Sequence, residues 1–306
     1  MVIGELKSIQ VGIIQFKATN AGTLNIKRHN IRTMVATYHD FKVETLDGEM
    51  FYGNVFPSPV KGYIRMMGKE IKLSEIFTLF NFKEGLFRQV QGDVSAGYSF
   101  TRSSGTGRLN MDGNFTMQNR KYEVKPSFTS ITSFNPNDSV SRERENITLQ
   151  GIYDITPFIF PIVILTYDRN LQLGLNRRFS EGAGLGTKFL ISPSMQARVI
   201  TAVVMNQERY SDGTSSGNLV EIPVVLYYNF FRYTSPNISL ATTQSVYFGI
   251  NQDGRIREEG ETKLSWEIVS DFTLSLTFYN SYDSRPSVSD NGNFDLSTVI
   301  GVGYTF

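Results

Sequence analysis

The sequence predicts an all-β protein: a transmembrane antiparallel β-barrel of twelve strands preceded by a small soluble β-barrel or roll. Three observations predict it. From Leu86 onward, apolar and polar residues alternate with period two in runs of a dozen residues or more, which puts one set on each face of a strand. The polar connections between these runs alternate between short and long, the pattern of a barrel with tight turns at one rim and loops at the other. The closing run, Phe294–Phe306, stacks Phe294, Leu296, Ile300, Val302, Tyr304 and Phe306 on one face and then stops on a bare aromatic. A strand this apolar suits lipid on one side and a lumen on the other.

Residues 1–80 read as the soluble domain. Short β runs are expected at Gly4–Ile9, Val11–Lys17, Thr23–Lys27, Thr33–Thr45, Glu49–Val55, Tyr63–Met67 and Lys69–Leu73, with Leu73–Leu79 as a short helix or strand. Asn20-Ala-Gly22, Asp47-Gly48 and Pro57-Ser-Pro59 supply turn chemistry between them. Lys and Arg punctuate these runs, and they are short for membrane spans. Asn81–Gly85 reads as a linker.

Residues 86–306 read as the barrel. The first strand carries Val90, Val94, Ala96, Tyr98 and Phe100 on one face, and the second carries Leu109, Met111, Phe115 and Met117. Ten further runs follow, at about 120–133, 142–155, 158–171, 175–190, 195–209, 218–232, 236–250, 255–268, 271–283 and 293–306. Twelve is even, as a single-chain bacterial barrel requires. Charges interrupt the alternation at 168–190, so a ten-stranded barrel with that stretch as a loop is the alternative. Glu208–Gly217 and Asp283–Gly292 read as long loops. A water-soluble sandwich also alternates, but its strands average about 5–6 residues.

Composition agrees. Aromatic residues are 13% of the chain, and 38 of them are Tyr or Phe against a single Trp. No stretch is long and apolar enough for a transmembrane helix, and a barrel strand needs only about 9–11 residues. A net charge of +1 leaves no footprint for nucleic acid. Cysteine is absent, which excludes disulfides, thiolate metal sites and a Cys nucleophile. Met1-Val-Ile-Gly-Glu-Leu-Lys has no basic n-region or apolar h-region. An exported barrel needs a signal peptide, so the expectation is that one has been removed.

Four short motifs resemble a known family. They are Gly4-Glu-Leu-Lys, Asp47-Gly-Glu-Met-Phe-Tyr52-Gly53, Gly254-Arg255 and Tyr282-Asp-Ser-Arg285-Pro286. The chain is similar there to the YdiY-like, salt-induced outer-membrane proteins, a barrel family of unestablished function. That resemblance implies an outer-membrane location and carries over no catalytic residue. The terminal Gly301, Tyr304 and Phe306 also resemble the signal that barrel-assembly machinery reads on its substrates, which would pair with the insertase by strand addition.

Candidate chemistry is sparse. The two histidines, His29 and His39, both lie in the N-terminal domain, so the barrel has no imidazole base for a Ser nucleophile. No enzyme, cofactor or metal is expected; the carboxylates Asp47, Asp253 and Asp290 lack EF-hand spacing. Gly182-Ala-Gly184-Leu-Gly186 fits a strand, not a phosphate loop. Parity assigns Asp93, Arg108, Asp112, Arg142, Arg144, Glu221, Arg255, Arg257, Glu259, Glu261, Lys263, Glu267 and Asp283 to the lumen. Lys121, Glu123 and Lys125 share their face. Mixed signs favour a lumen filled by ion pairs over a single-sign selectivity ring. Three functions compete: an accessory barrel that docks on a larger outer-membrane complex through a periplasmic N-terminal domain, a small-solute pore, and, remotely, a barrel enzyme. Expected partners are outer-membrane lipid, the assembly machinery and a protein of the outer membrane or periplasm.

Overall fold

A computed structural model describes residues 2–82, 90–103, 105–135, 138–171, 174–251, 254–269, 271–285 and 293–304. The expected linker after Phe82, Asp253, Pro286, Asp290 and Phe306 lie outside the described residues. Among the described residues no helix is long and apolar enough to cross a membrane.

The first eight strands are β1 (Gly4–Gln10), β2 (Ile13–Ala18), β3 (Gly22–Lys27), β4 (Ala36–Thr45), β5 (Met50–Pro57), β6 (Tyr63–Met66), β7 (Lys69–Lys72) and β8 (Ile76–Phe82). They pair in the order β3-β2-β1-β8-β4-β5-β6-β7. Residues 73–79 resolve into a 3-10 turn, Leu73–Glu75, followed by β8. Alternation sends Ile9, Phe41, Val43, Val55, Ile64 and Leu79 into one apolar core. The second half of β4, Phe41–Thr45, is buried on both faces. Phe41 and Val43 enter the core, yet the alternate residues Lys42 and Glu44 are covered as well. Something outside this module covers them.

The remaining strands are β9 (Val90–Thr101), β10 (Thr106–Gln118), β11 (Tyr122–Asn135), β12 (Asp138–Tyr153), β13 (Ile159–Asn170), β14 (Leu175–Ile191), β15 (Met195–Tyr210), β16 (Ser215–Arg232), β17 (Asn237–Gly249), β18 (Ile256–Val269), β19 (Phe272–Asp283) and β20 (Phe294–Tyr304). They form one twelve-stranded antiparallel meander, the order of an up-and-down barrel. Strands of 11 to 18 residues exceed what a membrane span needs. Residues 168–170 and 175–190 are strand, with β13 paired to β14 from Ile159↔Thr187 to Asn170↔Leu175. The expected loop 208–217 shrinks to 211–214, because β15 and β16 continue as a polar ladder; the Tyr210 amide donates to the Thr214 carbonyl at 2.9 Å. Among the described residues no ladder joins β20 to β9.

The two faces of the meander differ in kind. On β18, Arg257, Glu259, Glu261, Lys263 and Glu267 share one face, while Leu264, Trp266 and Ile268 share the other and are exposed. On β20, Ile300 and Val302 are 71% and 66% exposed. Apolar side chains turned outward in this number are a membrane band, not a water surface. Polar groups interrupt it: Thr242, Gln244 and Thr262, for example, hydrogen-bond to one another at 2.7–3.2 Å. Inward-facing Phe160, Ile162 and Ile200 form a small apolar cluster with Ile152, Val225 and Tyr227. Gly186 makes room for it. A Cβ there would lie 2.3 Å from the Phe160 ring.

Candidate functional site: the plugged mouth

The tight turns of the barrel converge on the N-terminal module, and that contact is what covers Lys42 and Glu44. Lys42 Nζ lies 2.6 Å from Asp154 in the β12–β13 turn. Glu44 lies 2.9 Å from Lys188 Nζ on β14. At the β14–β15 turn, Arg28 donates to the Pro193 carbonyl and stacks 5.8 Å from the Phe231 ring. In the β16–β17 turn, Tyr233 donates to the Val11 carbonyl at 3.0 Å. Lys27 pairs with Glu267 at the end of β18 at 2.6 Å, and Arg120 of the β10–β11 turn stacks on Tyr52 at 5.3 Å. Every hairpin at this end therefore meets the module, which sits across the mouth as a plug.

Local sequence explains the fit. The β1–β2 turn holds Val11 at φ 48° and Gly12 at φ 70°, both in the left-handed region. For a β-branched residue that conformation is an outlier. It aims the Val11 carbonyl at Tyr233, and a Cβ on Gly12 would come within 2.7 Å of the Phe231 ring. At the other side, Gly48 (φ 84°) lies against Pro157 and Phe158. At these two glycine turns the backbone of the module thus lies against side chains of the rim. Burial raises the Glu44 carboxyl above its ordinary range, against the nearby Lys188 and Lys42. Burial also lowers Arg28 and raises the Tyr233 hydroxyl. Asp47 is held low chiefly by its hydrogen bond from Thr45, a turn-stabilising role.

Between plug and lumen lies a cavity of about 270 Å³. Lys42, Glu44 and Phe77 line it from the module, and Lys125, Phe160, Arg198 and Tyr227 from the barrel. Toward the loop end, charges interlock. Arg257 reaches Glu221 at 2.7 Å and stacks on Tyr247 at 4.7 Å. Asn206 donates to the same carboxylate at 2.8 Å. Arg178 pairs with Glu208 at 2.6 Å, and Arg255 Nε donates to Asp283 at 2.9 Å.

The residues assigned to the lumen by parity are placed as follows. Glu221, Arg255, Arg257 and Asp283 meet in that network, with Glu259 3.7 Å from Arg257. Glu261 and Lys263 share its face, opposite Thr243 and Ala241. Glu267 lies on the same face of β18 at the opposite rim, where Lys27 of the module engages it. Asp93 faces Asn114, and Asp112 faces Ser95. Arg108 bonds Glu143 at 2.9 Å, and Arg144 lies opposite Ile131. Arg142 is a correction. A bulge between Ile131 and Thr132 shifts the register, so Arg142 pairs with Thr132 on the outer face and meets Glu145 at 3.5 Å. The extra residue, Glu143, takes the inward position. Lys121 sits in a turn, not on a strand. Gly301 and Tyr304 occupy β20 opposite Ser275 and Phe272. His29 lies in a 3-10 turn and His39 lies 3.7 Å from Glu5, both in the module. Among the described residues no group of three His, Cys, Asp or Glu could hold a metal.

A family model for proteins of unknown function, DUF481, matches residues 91–306. The chain belongs to the DUF481 family. The match covers the barrel, including the motifs at 254–255 and 282–286; the two early motifs and the plug precede it. No curated protein matches. A solved structure titled as the NanC porin, in a rhombohedral crystal form, is 12% identical, with 71% of this chain and 98% of that chain covered at a TM-score of 0.39. Pseudomonas aeruginosa OccK11 (OpdR) is 8% identical over 87% of this chain and 83% of that one, at a TM-score of 0.36. Scores this low carry no function across. What the DUF481 chain has on its own account is a membrane β-barrel fold of the outer-membrane type, with a second sheet across one mouth.

Proposed function

We propose that this DUF481 protein is a non-enzymatic outer-membrane barrel, closed at its periplasmic mouth by its own N-terminal module, that serves as an accessory subunit in a larger envelope assembly. One observation carries the reading: the module touches every tight hairpin and buries Lys42 and Glu44 against the rim. A barrel sealed in this way is not built for free diffusion. Val35, Tyr38 and Met67 stay exposed on the module, Tyr38 at 92%, and offer apolar contacts to a periplasmic protein. The tight turns are periplasmic in this reading, as in other single-chain barrels. Full-length protein in planar bilayers should show no steady conductance. It should co-purify with a partner that the variant Tyr38→Asp with Val35→Asp releases. Steady conductance with no partner would overturn the proposal.

A second reading, a solute channel gated by the plug, is favoured by the cavity between plug and wall. There, weakening the plug by Lys42→Ala should create conductance that the full-length parent lacks.

A further inference from the structure

The cavity under the plug is lined by both charged and apolar side chains. Lys42, Lys125, Lys188 and Arg198 face it, with Glu44, Glu123 and Asp154. Three pairs form: Lys42 with Asp154 at 2.6 Å, Lys188 with Glu44 at 2.9 Å, and Lys125 with Glu123 at 2.6 Å. Four cations against three carboxylates leave one positive charge over, and that charge is Arg198. Its guanidinium stacks 4.3 Å over the Tyr227 ring. It meets no carboxylate and makes no hydrogen bond among the described residues. On the lumen face, Lys188, Arg198 and Tyr227 stand in a row across β14, β15 and β16. Lys188 and Arg198 are therefore like charges directly opposite each other, an unfavourable pair. Glu44 relieves only Lys188.

A guanidinium facing a cavity, with its five donors unused, is a binding group in search of an anion. It matches a carboxylate in a bidentate fork. Its flat face is already fixed by Tyr227, so little freedom is lost when a ligand arrives. Phe77, Phe80, Phe160 and Leu190 line the same cavity and can take hydrocarbon. The lining mixes charged side chains, all of them paired except Arg198, with apolar ones, so Arg198 is the oriented anchor left for a ligand's head and the aromatic and aliphatic groups can take its body. We propose that this cavity binds a small amphipathic monoanion, a carboxylate on a short alkyl or aryl body, with Arg198 gripping the head. The single surplus charge selects a monoanion; a dianion would leave the cavity negative. The site needs only the plugged barrel, so it stands apart from either functional reading above.

The test is calorimetric titration of full-length protein in lipid nanodiscs, with empty nanodiscs subtracted. The probes are octanoate, 1-octanol and octyl phosphate. Octanoate should bind at least tenfold more tightly than 1-octanol, and more tightly than octyl phosphate. Arg198→Gln should abolish the preference for the acid while leaving the weak alcohol binding in place, and Arg198→Lys should restore part of it. The wild-type comparison stands even where a variant fails to fold. Equal binding of acid and alcohol by the wild type, no saturable binding of either, or an undiminished acid preference in Arg198→Gln would overturn the site. Tighter binding of octyl phosphate would overturn the carboxylate assignment.

Discussion

Lys42→Ala should loosen the plug, and the expected size follows from burial. The Lys42 side chain is 4% exposed and its partner Asp154 is 22% exposed. Removing one member of a buried pair costs about 3–5 kcal/mol, because the survivor is left charged and unpaired. Asp154 is open enough to regain water, so the fitting figure falls below that range, at about 2 kcal/mol. At about 1.4 kcal/mol per tenfold, this raises the undocked population about 30-fold. The chain has no cysteine, so a single thiol reports cleanly. Thr78 lines the cavity from the module side, and Thr78→Cys should react with maleimide only when the plug lifts. Its labelling rate then tracks the undocked fraction. Lys42→Ala in this background should label about 30-fold faster than the parent. Lys27→Ala is the control: its pair with Glu267 is roughly a quarter exposed on both sides, and such pairs give about 0–1 kcal/mol. A Lys42→Ala rate within twofold of the parent, or a Lys27→Ala rate above it, would refute the docking geometry.

Other outcomes follow from the same contacts. Burial raises Glu44 when the plug is docked, so docking takes up a proton: its contribution is full below the undocked value and is lost as pH rises through the docked one. Labelling at position 78, normalised to an exposed thiol, should slow on acidification toward the ordinary Glu range, and Glu44→Gln should flatten that slope. Replacing both partners of the other pair, Lys42→Met with Asp154→Leu, should dock as tightly as the parent or more so, since well-packed apolar substitutes for buried pairs are neutral or stabilising by about 1–4 kcal/mol; faster labelling would count against a dry interface. Gly186→Ala drives a methyl into the Phe160 ring, which is 2% exposed and cannot retreat, so the barrel should lose about 1–3 kcal/mol in a urea titration read by heat-modifiable mobility. Cysteine at position 214, in the β15–β16 loop, should label on intact cells and cysteine at position 20, in the β2–β3 turn, should not; the reverse pattern would invert the proposed orientation.

Most of the barrel was legible because a strand's period of two is written directly into its residues. Each of the twelve expected runs overlaps a strand, including 175–190, where Arg177, Arg178 and Glu181 had left a loop as the alternative. Those charges sit toward the loop end of the strand, where Arg178 can reach Glu208 across the ladder. The same parity rule failed at Arg142. One bulge inserts a residue and reverses the facing of Arg142 relative to Arg144, and nothing in Ser-Val-Ser-Arg142-Glu143-Arg144 announces it. The plug was not legible for a different reason. Phe41-Lys42-Val43-Glu44 has the alternation of a half-exposed strand, and a solvated Lys and Glu read identically to a Lys and Glu covered by a second sheet. Only the partners Asp154 and Lys188 distinguish them, and these lie 112 and 144 residues away.

Burying charge at the rim has a consequence for how the plug works. Two lysine–carboxylate pairs add little net energy to docking, since desolvation cancels most of their attraction. They do penalise any other seating, because a rotated module would leave Lys42 and Glu44 buried without Asp154 and Lys188. Orientation is thus set by the pairs, while attachment comes from the surface buried around them and from Arg28 and Tyr233 on main-chain carbonyls. A contact with strict geometry and modest net strength is one that can open and reseat in register. An apolar plug of the same area would hold harder and return less faithfully. The carboxylate Glu44 and the unpaired Arg198 lie on either side of Lys188, so the charge that seats the plug and the charge that faces the cavity belong to one row of side chains.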